Sequence, residues 1–225
     1  MPHSLRKEKP PFGGWADRNV CPIILVTIRC LFTAPIAKTV GLRYVEHVAD
    51  GFRRYKGPAG TIMSMTRRKR LQHAEKYFAM ALDFMELDYY EDAAYYFRKS
   101  IKMYPTAEAY TYLGWAHSLI GEYDQAIDYC KVAISLDPDY GNPYNDIGSY
   151  LMDQGQIDEA IPYLRRATRS RRYDPKYYAH FNLGRAWERK HDFERAVSEY
   201  KRALDLNPDY QPAKDAYYKL LRMMN

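Results

Sequence analysis

A chain of 225 residues that is 47% hydrophobic and carries 23 tyrosines is not disordered as a whole, and it has room for one domain plus an extension. Its net charge of +6 is unevenly spread: residues 1–70 carry +10 and residues 71–225 carry −4, so a basic footprint for nucleic acid on the second part is not expected. No run of about 18 apolar residues is free of charge, so no membrane insertion is expected. The three cysteines, Cys21, Cys30 and Cys130, form neither a Cys-x-x-Cys pair nor a regular framework, which points to a reducing, cytoplasmic setting ahead of a secreted or envelope-associated one.

Residues 1–62 show no helical or strand period and many breakers, among them Pro10, Pro11, Gly13, Gly14, Pro22, Pro35 and Pro58. The apolar run Val20–Ile28 follows Arg6, Lys7 and Lys9, in the order of a secretory leader. Against that, Asp17 and Arg18 flank the run and Pro22 lies inside it. Two alternatives stay open for this region. One is a poorly ordered basic extension with a short amphipathic piece at Tyr44, Val45, Val48 and Phe52. The other is a gene model extended upstream of a start at Met63 or Met65. Residues 63–72 form a basic lead-in, where Arg67-Arg68-Lys69-Arg70 is expected to be a solvated collar on a helix start rather than a localisation signal or phosphate-contacting arm.

From residue 73 a pattern repeats. Tyr77-x-x-Met80-Ala81, Tyr110-x-x-Leu113-Gly114, Tyr144-x-x-Ile147-Gly148 and His180-x-x-Leu183-Gly184 follow one another at shifts of 33, 34 and 36 residues. Twelve positions after each Gly or Ala comes Ala93, Ala126, Ala160 or Ala196; seven further on comes Ser100, Ala133, Ala167 or Ala203. A larger residue lies between them: Phe97, Cys130, Leu164 or Tyr200. Pro105, Pro138 and Pro208 follow, with Pro175 displaced. Two helices approach closely only where side chains are small, so a glycine that costs a helix about 1 kcal/mol implies a packing reason. Proline removes a donor and restricts the residue before it, so each second helix is expected to stop there. Gly121 and Gly155 suit left-handed helix ends. Asp88 and His191 stand at the equivalent positions and predict less regular turns. Two extra residues within Arg169–Asp174 predict either an overrunning helix or a bulged loop.

This pattern resembles the tetratricopeptide repeat family over roughly residues 73–225. The resemblance implies an all-α fold, a right-handed superhelical solenoid of about four repeats near 74–106, 107–140, 141–176 and 177–210. A capping helix over 211–225 would close it, with Lys214, Asp215, Lys219 and Arg222 on a polar face. It also implies that the first helix of each unit lines a concave peptide-binding groove. Carried over by position, the groove residues are Phe78, Leu82, Met85, Thr111, Trp115, Asn142, Asn145, Asp146, Ser149, Tyr178, Asn182, Arg185, Lys219 and Arg222. The early end is then apolar, the middle amide-rich and the late end basic. Asn145 and Asn182 would hydrogen-bond an extended peptide, Trp115 would anchor it, and Arg185 would grip a carboxylate. The clamp used by chaperone-docking members is not recognisable, since Thr111, Asp146 and Tyr178 occupy comparable places.

Catalytic motifs are absent: no phosphate loop, no dinucleotide glycine fingerprint and no His-Glu-x-x-His. His117 and Cys130 share one hairpin, but both replace large packed residues of the repeat and are expected in the core. The other histidines have no partner at helix spacing, so no metal and no cofactor are expected. The function expected is noncatalytic: a scaffold or adaptor for a protein or peptide. The alternatives are an envelope- or membrane-associated assembly factor of the secretion or pilus-biogenesis type and, more remotely, RNA binding through the basic extension. Self-association is compatible with the expected fold.

Overall fold

The computed structural model describes residues 65–224, so the expectations for residues 1–62 lie outside the described residues. Among the described residues the chain forms helices α1 (Met65–Glu86), α2 (Tyr90–Met103), α3 (Ala107–Leu119), α4 (Tyr123–Leu136), α5 (Asn142–Asp153), α6 (Ile157–Arg169), α7 (Tyr177–Arg189), α8 (Phe193–Leu206) and α9 (Gln211–Met224). Each odd-numbered helix packs on the even-numbered helix that follows it, each hairpin packs on the next, and α9 packs on α8. The molecule is an all-α solenoid. The basic run sits on the first turns of α1, where Arg67 donates to the Tyr104 hydroxyl at 3.0 Å and Arg70 to the Met103 carbonyl at 2.9 Å.

The repeating small and large residues form its core. Ala93, Ala126, Ala160 and Ala196 are fully buried, as are Phe97, Cys130, Leu164 and Tyr200 behind them. Ala133, Ala167 and Ala203 are fully buried too. Ser100 keeps that place in the first unit because its hydroxyl donates to the Ala74 carbonyl at 2.8 Å, so no buried polar group is left unpaired. Each buried large apolar side chain contributes about 1.5–3 kcal/mol. The glycines mark the points of closest approach: a Cβ on Gly114 would lie 2.9 Å from the Ala126 carbonyl oxygen, and one on Gly148 would lie 2.5 Å from Leu164 Cγ.

The helix ends follow local chemistry. Thr106 caps α3 by accepting from the Ala109 N–H at 3.2 Å, and Asp192 caps α8 by accepting from the Arg195 N–H at 3.1 Å. Pro143 stands at the start of α5, where its missing N–H costs nothing. The second helices α2, α4 and α8 end just before Pro105, Pro138 and Pro208, each on an extended cap residue.

The turns inside the hairpins correct one expectation. All four are built alike, with or without glycine. Asp88 (φ 60°) and His191 (φ 59°) adopt the same left-handed backbone as Gly121 (φ 86°) and Gly155 (φ 80°). Each turn has the same pair of closing hydrogen bonds, as in Gly121 N–H to Ser118 O with Glu122 N–H to His117 O, and His191 N–H to Glu188 O with Asp192 N–H to Trp187 O. The surrounding hairpin imposes the geometry, and Asp and His tolerate it better than most residues. The strain remains, at about 1–2 kcal/mol for a left-handed residue bearing a Cβ. Exposed His191, whose ring only edges Phe193 at 6.0 Å, should therefore be improved by glycine. After offsetting the unfolded-state entropy of glycine, His191→Gly is expected to raise stability by about 0.5–1 kcal/mol in a urea titration.

The extra residues of the third unit bulge the loop; the helix does not overrun. α6 stops at Arg169, and residues 170–176 fold back on the α4–α5 connection. Gly141 N–H donates to the Arg172 carbonyl at 3.0 Å, and Arg172 N–H donates to the Asp139 carbonyl at 3.0 Å. The Arg172 guanidinium donates to both Asp137 and Glu108 and lies 4.5 Å over the Tyr140 ring. Buried Tyr173 lies against Gly141, where a Cβ would come within 2.2 Å of the Tyr173 Cβ.

Candidate ligand-binding groove

Helices α3, α5 and α7 form an inner row. α3 touches α5 and α5 touches α7 across unit boundaries, closer than the even-numbered helices come to one another. Crowding of one row is what curvature produces, so these helices line the concave side. Their side chains are shared between the core and the open face.

Half of the sequence-derived groove residues are core. Phe78 is buried edge-on against Phe97 at 5.3 Å and Tyr112 at 5.1 Å. Met85, Ser149 and Tyr178 are also buried, the last against Tyr210 with ring centroids 5.3 Å apart. Buried Thr111 donates its hydroxyl to the Ala107 carbonyl at 2.8 Å. Leu82, Trp115, Asn142, Asp146 and Arg185 are half-buried; Lys219 and Arg222 are exposed.

Asn145 and Asn182 do not present their amides to a ligand as the sequence suggested. Both are buried, Asn182 completely, and they bond each other across the α5–α7 contact. The result is a ladder. Arg185 Nη1 donates to Asn182 Oδ1 at 3.2 Å, Asn182 Nδ2 to Asn145 Oδ1 at 2.9 Å, and Asn145 Nδ2 to Asp146 Oδ1 at 3.4 Å. A guanidinium stands at one end and a carboxyl at the other. Burial lowers the Arg185 pKa, and the like charge of Arg189 adds to the effect. Burial pushes the Asp146 carboxyl up to about 7, against the weaker opposing effect of the Asn145 bond. Among the described residues neither has an ion-pair partner. At the late end, Lys219 is already engaged: its ammonium lies 3.0 Å from Glu188, whose other oxygen accepts from the Tyr200 hydroxyl at 2.7 Å.

Comparison with known proteins agrees with this architecture. A tetratricopeptide repeat model of the TPR_1 type matches residues 107–140, and one of the TPR_16 type matches residues 145–211. The chain carries tetratricopeptide repeats. Among curated relatives of this repeat class, human tetratricopeptide repeat protein 29 is 32% identical over 123 residues, 52% of this chain and 25% of that protein. The small glutamine-rich tetratricopeptide repeat-containing protein 2 of Saccharomyces cerevisiae is 40% identical over 73 residues, 32% of this chain and 21% of that one. The matched region thus spans about a quarter or less of these relatives. In shape, the chain is similar to PilF of Pseudomonas aeruginosa, with a TM-score of 0.66 at 21% identity over 69% of this chain and 71% of that one, a likeness of fold.

The repeat frame shows what the sequence left unseen. Tyr150 takes a place where neighbouring repeats have Ala116 and Ala186, and that departure was the available signal. Its ring is buried, and its hydroxyl has no hydrogen-bond partner among the described residues; Trp115 Nε1 is likewise buried and unpartnered. His117 and Cys130 are core, as the repeat pattern implied. His117 donates from Nδ1 to Glu122 at 2.5 Å and accepts at Nε2 from Arg98 at 3.3 Å. Burial drives the Cys130 thiol pKa well up, which keeps it protonated and unreactive. Among the described residues no three His, Cys, Asp or Glu side chains are placed to hold a metal, and no helix is long and apolar enough to cross a membrane.

Proposed function

We propose that this chain is a noncatalytic scaffold that holds a peptide or protein segment along the concave row of α1, α3, α5 and α7. The observation that carries the reading is Arg185. Its guanidinium is half-buried on that row, held in place by the Asn182–Asn145 ladder, and paired with no carboxylate among the described residues. A desolvated guanidinium is suited to a forked bond with an acidic side chain or a C-terminus. Trp115, half-buried with an unpartnered indole N–H, supplies the aromatic anchor nearer the apolar early end. The bound segment then has apolar residues toward α1 and an acidic group toward α7.

Affinity capture with the full chain beside a Trp115→Ala/Arg185→Glu variant tests this, with circular dichroism melts to verify that the variant folds. A protein enriched by the first and lost from the second supports the groove. A folded variant that captures the same proteins at the same yield refutes it.

A further inference from the structure

The ladder ends at Asp146, and that end has a chemistry of its own. One oxygen takes a single long hydrogen bond from Asn145, at 3.4 Å. Tyr150 lies one helical turn further along α5, so the two side chains share a face. Tyr150 is 2% exposed and its hydroxyl is unpartnered, although a buried hydroxyl normally finds a partner. The Ser118 hydroxyl on α3 donates to the Trp115 carbonyl at 2.8 Å, and its oxygen lies beside the Tyr150 hydroxyl, which leaves the phenol oxygen itself without a donor. One turn back on α3, Trp115 Nε1 is buried and unpartnered too. Ser118 and Tyr150 thus face each other where α3 packs on α5, and one turn back on each helix come Trp115, an indole donor without an acceptor, and Asp146, a carboxyl without a cation.

We propose that Asp146, Tyr150 and Trp115 form a subsite for the side chain of a lysine or arginine in a bound peptide, a deepening that rests on the groove reading above. The ligand cation donates to the Asp146 carboxylate and the Tyr150 hydroxyl oxygen, and the peptide carbonyl beside it accepts from Trp115 Nε1. A neutral residue leaves the carboxyl without a counter-charge, whereas a cation satisfies these groups together. With Arg185 at the far end of the ladder, the groove then selects a segment with a basic residue toward α3 and an acidic one toward α7.

The subsite couples binding to pH. Free Asp146 titrates at about 7, and a bound cation favours its charged form and lowers that value. Affinity is complete above about pH 7 and falls as pH drops through it, about tenfold per unit. The groups facing Asp146 do not share this window. Cys130 from α4 and Tyr150 on α5 are both pushed well up by burial, and the Tyr123 ring from α4 lies 6.1 Å from that of Tyr150.

The test selects a displayed library of random peptides on the full chain at pH 7.5 and counter-screens the winners on Trp115→Ala. Synthetic copies are then titrated against wild type, Asp146→Asn and Tyr150→Phe from pH 6 to pH 8. The expected result is a basic residue shared by the groove-dependent peptides, a loss of about 30-fold or more in Asp146→Asn, and a pH slope present in wild type and absent from that variant. Groove-dependent peptides without a basic residue, or ones that bind Asp146→Asn equally well, overturn the subsite and leave the groove reading standing. Selection of no groove-dependent peptide removes both.

Discussion

Replacing Arg172 with alanine should lower stability by about 2–3 kcal/mol, between the near-zero value of an exposed ion pair and the 3–5 kcal/mol of a broken buried one. The intermediate figure follows from burial: the Arg172 side chain is 31% exposed, Asp137 26% and Glu108 10%. Alanine leaves two carboxylates that the fold holds near one another without a counter-charge, and Glu108 is the more costly because it is nearly out of water. It also removes the stack on Tyr140. Arg172→Lys should recover less than half of the loss, because an ammonium does not span two acids as a planar fork does. The readout is the urea midpoint at constant m-value. A change within 0.5 kcal/mol for Arg172→Ala would show that the folded-back loop is held by Tyr173 and its backbone bonds alone.

A methyl group on Gly184 is expected to cost about 1–3 kcal/mol, although alanine is the better helix former by about 1 kcal/mol. The added carbon would lie 2.6 Å from two atoms of the Tyr200 ring. That ring cannot swing away, because it is fully buried and its hydroxyl donates to Glu188 at 2.7 Å. α7 and α8 must therefore separate. A melting temperature lower by roughly 2–8 °C is the expected reading. A double-mutant cycle with Tyr200→Leu adds the specific check: the two losses should not sum, since a smaller, unanchored side chain makes room for the methyl. A Gly184→Ala protein that melts higher than wild type would mean that propensity, not close approach, governs this position.

These two sites differ in how they could be read. Gly184, Ala196, Tyr200 and Ala203 repeat in a fixed order with their counterparts in the other units, and all four positions are buried as that order implies. Arg172 has no counterpart. Its partners Asp137 and Glu108 lie 35 and 64 residues away in the chain, and nothing in the extra residues around it indicated which way the loop would fold.

The groove shows the same division. Positions carried over from the repeat pattern were expected to line an inner row, and seven of them, from Phe78 to Asn182, are packed between helices. The amides of Asn145 and Asn182 illustrate why. On one helix each occupies an inward-facing position, and only the approach of α5 to α7 turns the two toward one another instead of toward a ligand.

By itself the sequence determined the helix pairs, their stops at proline, the small-residue contacts between them and hence the all-α solenoid. Those features depend on spacing within a hairpin, where chain connectivity already places the contacting residues. The tertiary structure decided which groove residues remain open, the left-handed turns at Asp88 and His191, the fold-back of Arg172 and the unpaired chemistry around Asp146. The turns depend on the packed hairpin around them, and the others on how one unit meets the next. That meeting sets burial, and burial decides whether a polar group has water, a partner or neither.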